Sequence, residues 1–158
     1  MIKLLILDID GTMTDGKIYM SSDGEMLKSF SIKDGYGITH ILPQLSIKPI
    51  VITGRKSKIV ENRCSELKIT DIYQGCSNKM EVLIKVMADY SVSFNELAYI
   101  GDDDNDLDCM TKIKKAGGFV GCPFDASPNV VRIADYISDK CGGDGAVRDF
   151  IERLQKVI

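Results

Sequence analysis

Residues 3–12 read Lys3-Leu4-Leu5-Ile6-Leu7-Asp8-Ile9-Asp10-Gly11-Thr12, an apolar run that stops on acids and a glycine. A short continuous run without polar alternation suits a strand buried on both faces, so it predicts a central strand of a parallel sheet. Working outward, similar runs stand at Ile50-Val51-Ile52, Asp71-Ile72-Tyr73, Leu97-Ala98-Tyr99-Ile100 and Gly118-Phe119-Val120, with a weaker one at Tyr136-Ile137. Helical patterns separate them. Ile38, Ile41, Leu42 and Leu45 fall at i, i+3, i+4 and i+7, as do Met80, Leu83, Ile84 and Met87. Ile59, Val60, Cys64 and Leu67 give a shorter stripe, and Val147, Phe150, Ile151, Leu154, Val157 and Ile158 the clearest one. Alternating strand and helix define the α/β class, a parallel sheet with helices on both faces.

The segment Lys17 to Ile32 breaks the alternation. Ile18-Tyr19-Met20 and Met26 to Ile32 flank the turn-like Ser21-Ser22-Asp23-Gly24, and Asp-Gly between strand-like runs predicts a small β-hairpin over about 17–32. Gly142-Gly143-Asp144-Gly145 reads as a flexible loop before the last helix.

A length of 158 residues predicts one domain spanning 1–158, and 44% hydrophobic with 27% charged residues is the balance of a soluble globular chain. The formal net charge of −3 disfavours a nucleic-acid partner. The apolar stretches are far shorter than the ~20 residues a bilayer requires, which argues against a membrane partner. With Asp8 and Asp10 so early, the N-terminus lacks a signal-peptide layout, so a cytoplasmic location is expected. The five cysteines form no C-x-x-C pair and His40 is the only histidine, so a structural zinc site is not expected and the thiols are read as reduced.

In open parallel sheets ligands bind beyond the carboxyl ends of the strands. Those ends carry Asp8 and Asp10, then Thr53-Gly54-Arg55, and then Gly101-Asp102-Asp103-Asp104-Asn105-Asp106, while Lys79 opens the helix after the third run behind Ser77 and Asn78. So many carboxylates at one edge repel one another unless a cation is bound, and all-oxygen ligands favour a hard ion such as Mg²⁺. A calcium loop over Asp102-Asp104-Asp106 is rejected, because Leu107 stands where the sharp-turn glycine is required.

The ordered set D-x-D-G, Thr, Lys and G-D-D-x-x-D resembles the signature of the haloacid dehalogenase-type phosphohydrolases. The resemblance extends over Lys33-Asp34-Gly35-Tyr36-Gly37-Ile38, Arg63-Cys64, Tyr73-Gln74-Gly75 and Gly145-Ala146-Val147-Arg148. It implies a Rossmann-like sheet without a cap domain, with Asp8 as nucleophile and Asp10 as general acid/base. Thr53 and Lys79 would hold the phosphoryl group, Mg²⁺ would sit on Asp8, the Asp10 carbonyl and Asp102, and Asp103 and Asp106 would support them. It also implies a small-molecule substrate, a 2-keto-3-deoxy sugar-acid phosphate bound through Arg55, Arg63, Gly54 and Asp34. An eight-carbon acid is preferred, with a nine-carbon one as alternative. Two rivals come from other classes. Receiver domains also gather Asp, Thr and Lys around Mg²⁺, but with the phosphorylated Asp alone on a later strand, and a catalytically silent binding domain would have no reason to keep every motif carboxylate. With no segment long enough for a cap, and with Ile18, Met20, Met26, Leu27, Phe30 and Ile32 apolar on the hairpin, a homo-oligomer is expected, and the resemblance implies a homotetramer built around the hairpins.

Overall fold

β1 (Leu4–Leu7) is buried along its whole length, and the computed structural model, which describes residues 1–157, shows how. Alternate strand residues face opposite sides. Leu5 and Leu7 therefore join one core with Ile38, Leu42, Val60 and Phe150, while Leu4 and Ile6 join a second with Leu83, Met110, Ile113 and Val130.

The chain continues through the hairpin β2 (Tyr19–Ser21) and β3 (Gly24–Leu27), then α1 (Ile32–Tyr36), a π-helical turn (Gly37–Ile41) and α2 (Leu42–Gln44). There follow β4 (Lys48–Ile52), α3 (Lys58–Glu66), β5 (Ile72–Tyr73), α4 (Lys79–Tyr90) and β6 (Leu97–Ile100). The last part comprises α5 (Leu107–Lys115), β7 (Phe119–Cys122), α6 (Pro128–Ile133), β8 (Tyr136–Ile137) and α7 (Ala146–Val157). Six strands form one parallel sheet in the order β5-β4-β1-β6-β7-β8. The sheet is therefore the expected Rossmann-like arrangement. β1 lies between β4 and β6, where the winding reverses, and that reversal opens a crevice at its carboxyl end. No helix among the described residues is long and apolar enough to cross a membrane, and all five cysteines are free.

Several sequence expectations shift. The hairpin is shorter than 17–32: beyond Leu27 the chain leaves it, Phe30 bridges Thr14, and Ser31 caps α1 by accepting the Lys33 N–H. Phe30 packs against the core, whereas Ile18, Met20, Met26, Leu27 and Ile32 are exposed. On α4 the buried apolar residues are Leu83 and Val86, and Ile84 is exposed, so the helix is rotated from the stripe read in the sequence. Ile158 lies outside the described residues.

The Gly142–Gly145 segment is a fitted strap, not a flexible loop. Gly143 N–H bonds to the Thr12 carbonyl (3.1 Å), Gly142 N–H to Asp125 (2.9 Å), and a Cβ on Gly142 would lie 1.9 Å from the Gly11 carbonyl oxygen. Any side chain there forces the strap off the loop that carries Asp10. Gly142→Ala is expected to cost about 1–3 kcal/mol and lower Tm by roughly 2–10 °C in calorimetry. An unchanged melting curve would contradict this packing.

Candidate active site

The loop after β1 is wound tightly. The N–H groups of Thr12, Met13 and Thr14 all donate to the Ile9 carbonyl (3.1, 2.9 and 3.0 Å), and the Thr14 hydroxyl accepts from the N–H of Gly11 and Gly16 (3.2 Å each). Asp8 itself stays bonded to the sheet through its N–H on Ile100. Gly11 sits at φ +93°, and a Cβ there would fall 2.0 Å from Asp102 Oδ2. Glycine thus serves the turn and also leaves room for the Asp102 carboxylate.

Lys79 opens α4, whose first turn is capped by Asn78 accepting from the Met80 and Glu81 N–H groups. Its buried ammonium donates to Asp8 Oδ1 (2.6 Å) and Asp106 Oδ1 (2.7 Å). Asp106 is saturated: Oδ1 also accepts from the Tyr99 hydroxyl (2.7 Å), and Oδ2 from the N–H groups of Asp102 and Asp103. Asp103 is exposed and caps the turn Asp104–Asp106. Thr12 donates to Asp102 Oδ1 (2.9 Å).

Burial, then the neighbouring Asp106, pushes the Asp8 carboxyl well above the ordinary range, and Lys79 offsets this only in part. Burial also raises Asp102, to about 6, against the Thr12 hydrogen bond. Lys79 is held well above the usual lysine value, because Asp8 and Asp106 outweigh the burial that opposes its charge. Oxygens of Asp8, Asp102 and Asp106 all lie within 4.8 Å of one another. Three carboxylates against one ammonium leave two negative charges unmet. With Asp106 fully engaged, Asp8 and Asp102 each have a second oxygen to offer, a donor set that fits a hard divalent cation such as Mg²⁺.

Thr53 is buried just beyond β4, its N–H on Tyr73 (2.9 Å) and its carbonyl accepting from Cys76 (3.1 Å). Thr53, Gly54 and Arg55 line one pocket with Asp8, Asp10, Gly16, Asp102, Asp103 and Asn105. Two residues assigned to substrate lie elsewhere. Asp34 is buried at the start of α7, where Oδ1 accepts the Arg148 N–H (2.8 Å), so it ties α1 to the last helix. Arg63 takes no part in the pocket of its own chain: it bonds Glu66 (2.8 Å) and the Ser31 carbonyl (3.3 Å) and covers the Phe30 ring. The motifs containing these residues carry no information about where the side chains point.

Sequence reading missed the inner edge of the hairpin. Lys28 hydrogen-bonds Asp10 and lies 2.8 Å from Glu25 Oε1, while Glu25 accepts from the Ser57 hydroxyl and stands 3.6 Å from Arg55. The only local signal was two charges, Glu25 and Lys28, inside a run otherwise read for its apolar residues.

Fold and site together define a hydrolase of the haloacid dehalogenase type, and residues 51–151 match the haloacid dehalogenase-like hydrolase family, to which the chain belongs. The chain is 43% identical over 153 residues to the 3-deoxy-D-manno-octulosonate 8-phosphate phosphatase KdsC of Escherichia coli K12, covering 97% of this chain and 79% of the relative. The solved structure of the corresponding phosphatase from Yersinia pestis superposes with a TM-score of 0.91 at 39% identity, covering 98% of this chain and 81% of that one. The Moraxella catarrhalis phosphatase, solved with a magnesium ion, a phosphate ion and a Kdo molecule, gives 0.90 at 36%, covering 98% and 86%.

In the metal-free protein, Asp102 keeps a proton up to about pH 6 that the unfolded chain releases near its ordinary value of 3.8. The stabilisation this gives is complete below about pH 4 and lost as the pH rises through 6. Mg²⁺ takes the place of that proton, so its effect should be largest at high pH. At a hundredfold excess over Kd, Mg²⁺ should add about 2.7 kcal/mol, raising Tm by roughly 5–10 °C near pH 7.5 and by much less near pH 5. Asp102→Asn should abolish the shift. Equal shifts for both proteins in differential scanning calorimetry would place the ion elsewhere.

Proposed function

We propose that the chain, as a single domain, is a Mg²⁺-dependent phosphatase of 3-deoxy-D-manno-octulosonate (Kdo) 8-phosphate, acting in the cytoplasm. The observation that carries this reading is the Asp8 carboxylate, fixed on one oxygen by buried Lys79 and lining a pocket with Asp10, Thr53 and Arg55. Similarity over nearly the whole chain to phosphatases of this substrate supports it.

An Asp8 oxygen attacks phosphorus while the P–O bond to the sugar breaks, and Asp10 gives its proton to the departing oxygen. The resulting aspartyl-phosphate is hydrolysed when Asp10, now a base, takes a proton from the attacking water. Inorganic phosphate leaves and Asp8 is restored. Thr53 hydrogen-bonds the phosphoryl oxygens and Lys79 meets their charge. Mg²⁺, held by Asp8, Asp102 and the Asp10 carbonyl, would neutralise phosphate charge at the same place. At the far end of the substrate, the Arg55 guanidinium is suited to pair with the sugar-acid carboxylate.

The exposed apolar hairpin residues Ile18, Met20, Met26 and Leu27 lie outside any core of the chain. A second copy would bury them and exclude water from the neighbouring site, so the active form is read as a homotetramer packed through its hairpins. Light scattering should give the tetramer mass, and Met20→Glu with Met26→Glu should shift it to smaller species. A monomeric wild type with full activity at nanomolar concentration would refute this assembly.

Asp8→Asn should lower kcat by at least roughly 10³-fold without loss of fold. Arg55→Ala should reduce kcat/KM for Kdo 8-phosphate by about 10–100-fold and change p-nitrophenyl phosphate turnover little. Steady-state kinetics on both substrates and on a nine-carbon acid 9-phosphate decide the matter. A wild-type preference for the nine-carbon compound, or an equal Arg55→Ala loss on both substrates, would overturn the substrate assignment.

A further inference from the structure

We propose that Lys28 is a positioning residue for the acid/base Asp10, with Glu25 as its counter-ion; this rests on the phosphatase reading above. Lys28 is the first residue beyond β3. Lysines on exposed ribbons usually run their stems along the surface and leave the ammonium in water. Here the side chain is 1% exposed and turned inward, its ammonium on Asp10 Oδ1 and 2.8 Å from Glu25 Oε1. An unpaired ammonium is too costly to bury, so the chain keeps Lys28 there only through these two carboxylates. Among the described residues, Lys28 is the one side chain hydrogen-bonded to Asp10, which is otherwise 23% exposed.

Proton transfer needs the Asp10 carboxyl within about 2.6–3.2 Å of the bridging oxygen. A hydrogen bond on Oδ1 stops the carboxyl from rotating and leaves Oδ2 free to face the substrate. Glu25, itself held by the Ser57 hydroxyl, compensates the ammonium, so Asp10 is aimed without facing a lone cation. In the first half-reaction, Oδ2–H passes its proton to the bridging oxygen as the P–O bond breaks and the Asp8–phosphorus bond forms. In the second, the Asp10 carboxylate takes a proton from water as its oxygen bonds to phosphorus and the Asp8 bond breaks. Lys28 keeps its proton throughout.

The test compares leaving groups, because an alkoxide needs a proton to depart and p-nitrophenolate does not. Lys28→Met keeps the stem and removes the hydrogen bond. With Kdo 8-phosphate it should lower kcat by about 100-fold at nearly unchanged KM. With p-nitrophenyl phosphate, rapid-quench kinetics should give a stoichiometric burst at wild-type rate followed by slow turnover, since only the second half-reaction then requires Asp10. Lys28→Arg should recover part of the loss. If Lys28→Met fails to fold, Glu25→Gln should show the same contrast at smaller size. Burst and Kdo 8-phosphate rates falling together, or wild-type kcat in these variants, would overturn the proposal. If the wild type prefers another alkyl phosphate, the contrast is read on that compound, so the substrate assignment fails separately.

Discussion

The buried ammonium of Lys79, gripped by Asp8 and Asp106, is the interaction around which the site is assembled. Taking a lysine charge out of water is costly, and only close, well-formed pairing makes it tolerable. The partners are 71 and 27 residues away in sequence, so the pair forms only once β1, the start of α4 and the turn after β6 have met. Tyr99 and two backbone N–H groups complete Asp106, which leaves that carboxylate no freedom to move or to bind anything else. The consequence is a division among like residues. Asp106 is structural because its oxygens are spent, whereas Asp8 and Asp102 each keep an oxygen free for a ligand.

That arrangement needs a firm frame, which comes from burying β1 on both sides. Leu5 and Leu7 anchor it in one core, Leu4 and Ile6 in the other, and Asp8 emerges where both cores end. The loop beyond is fastened twice, by its own turn around the Ile9 carbonyl and by the Gly142–Gly143 strap lying across Gly11 and Thr12. Asp34 extends the frame by tying α1 to the start of α7. With Oδ2 lacking a hydrogen-bond partner, burial lifts its pKa to about 6. The cost is accepted at a joint between two distant stretches, not at the pocket.

What the sequence made legible follows from which forces are local. Strands β1, β4 and β6 were readable because double burial leaves an unbroken apolar run, and the gathering of Asp8, Asp10, Thr53 and Asp102 because they stand at parallel strand ends, with Lys79 on the helix that follows β5. The length of the hairpin was not, since Lys28 is drawn to Asp10 and Ser31 starts a helix, both tertiary or capping effects inside an apolar-looking segment. Ile84 misled because it completes the spacing of Met80, Leu83 and Met87, whereas the packing of α4 turns the helix toward Val86, which lies off that stripe. Within this chain Arg63 bonds Glu66 and the Ser31 carbonyl, and Asp34 accepts the Arg148 N–H; the bonds to Ser31 and Arg148 join distant stretches, which a short motif does not display.

The two ends of the pocket are therefore built from different materials. The phosphate end consists of buried residues on the sheet and helix termini, where a change at Asp8, Thr53 or Lys79 meets rigid neighbours. The other end carries Arg55, 44% exposed, and just beyond the pocket lies Glu25 on a two-stranded hairpin, joined to Arg55 by an ion pair at 3.6 Å in which solvent competes. A contact that loose contributes little to stability, so Glu25 can yield Arg55 to another anionic partner at small cost. On the proposed reading, chemistry common to many phosphate esters is thus held by the fold, and recognition of one ester falls to the exposed side chain least constrained by its neighbours.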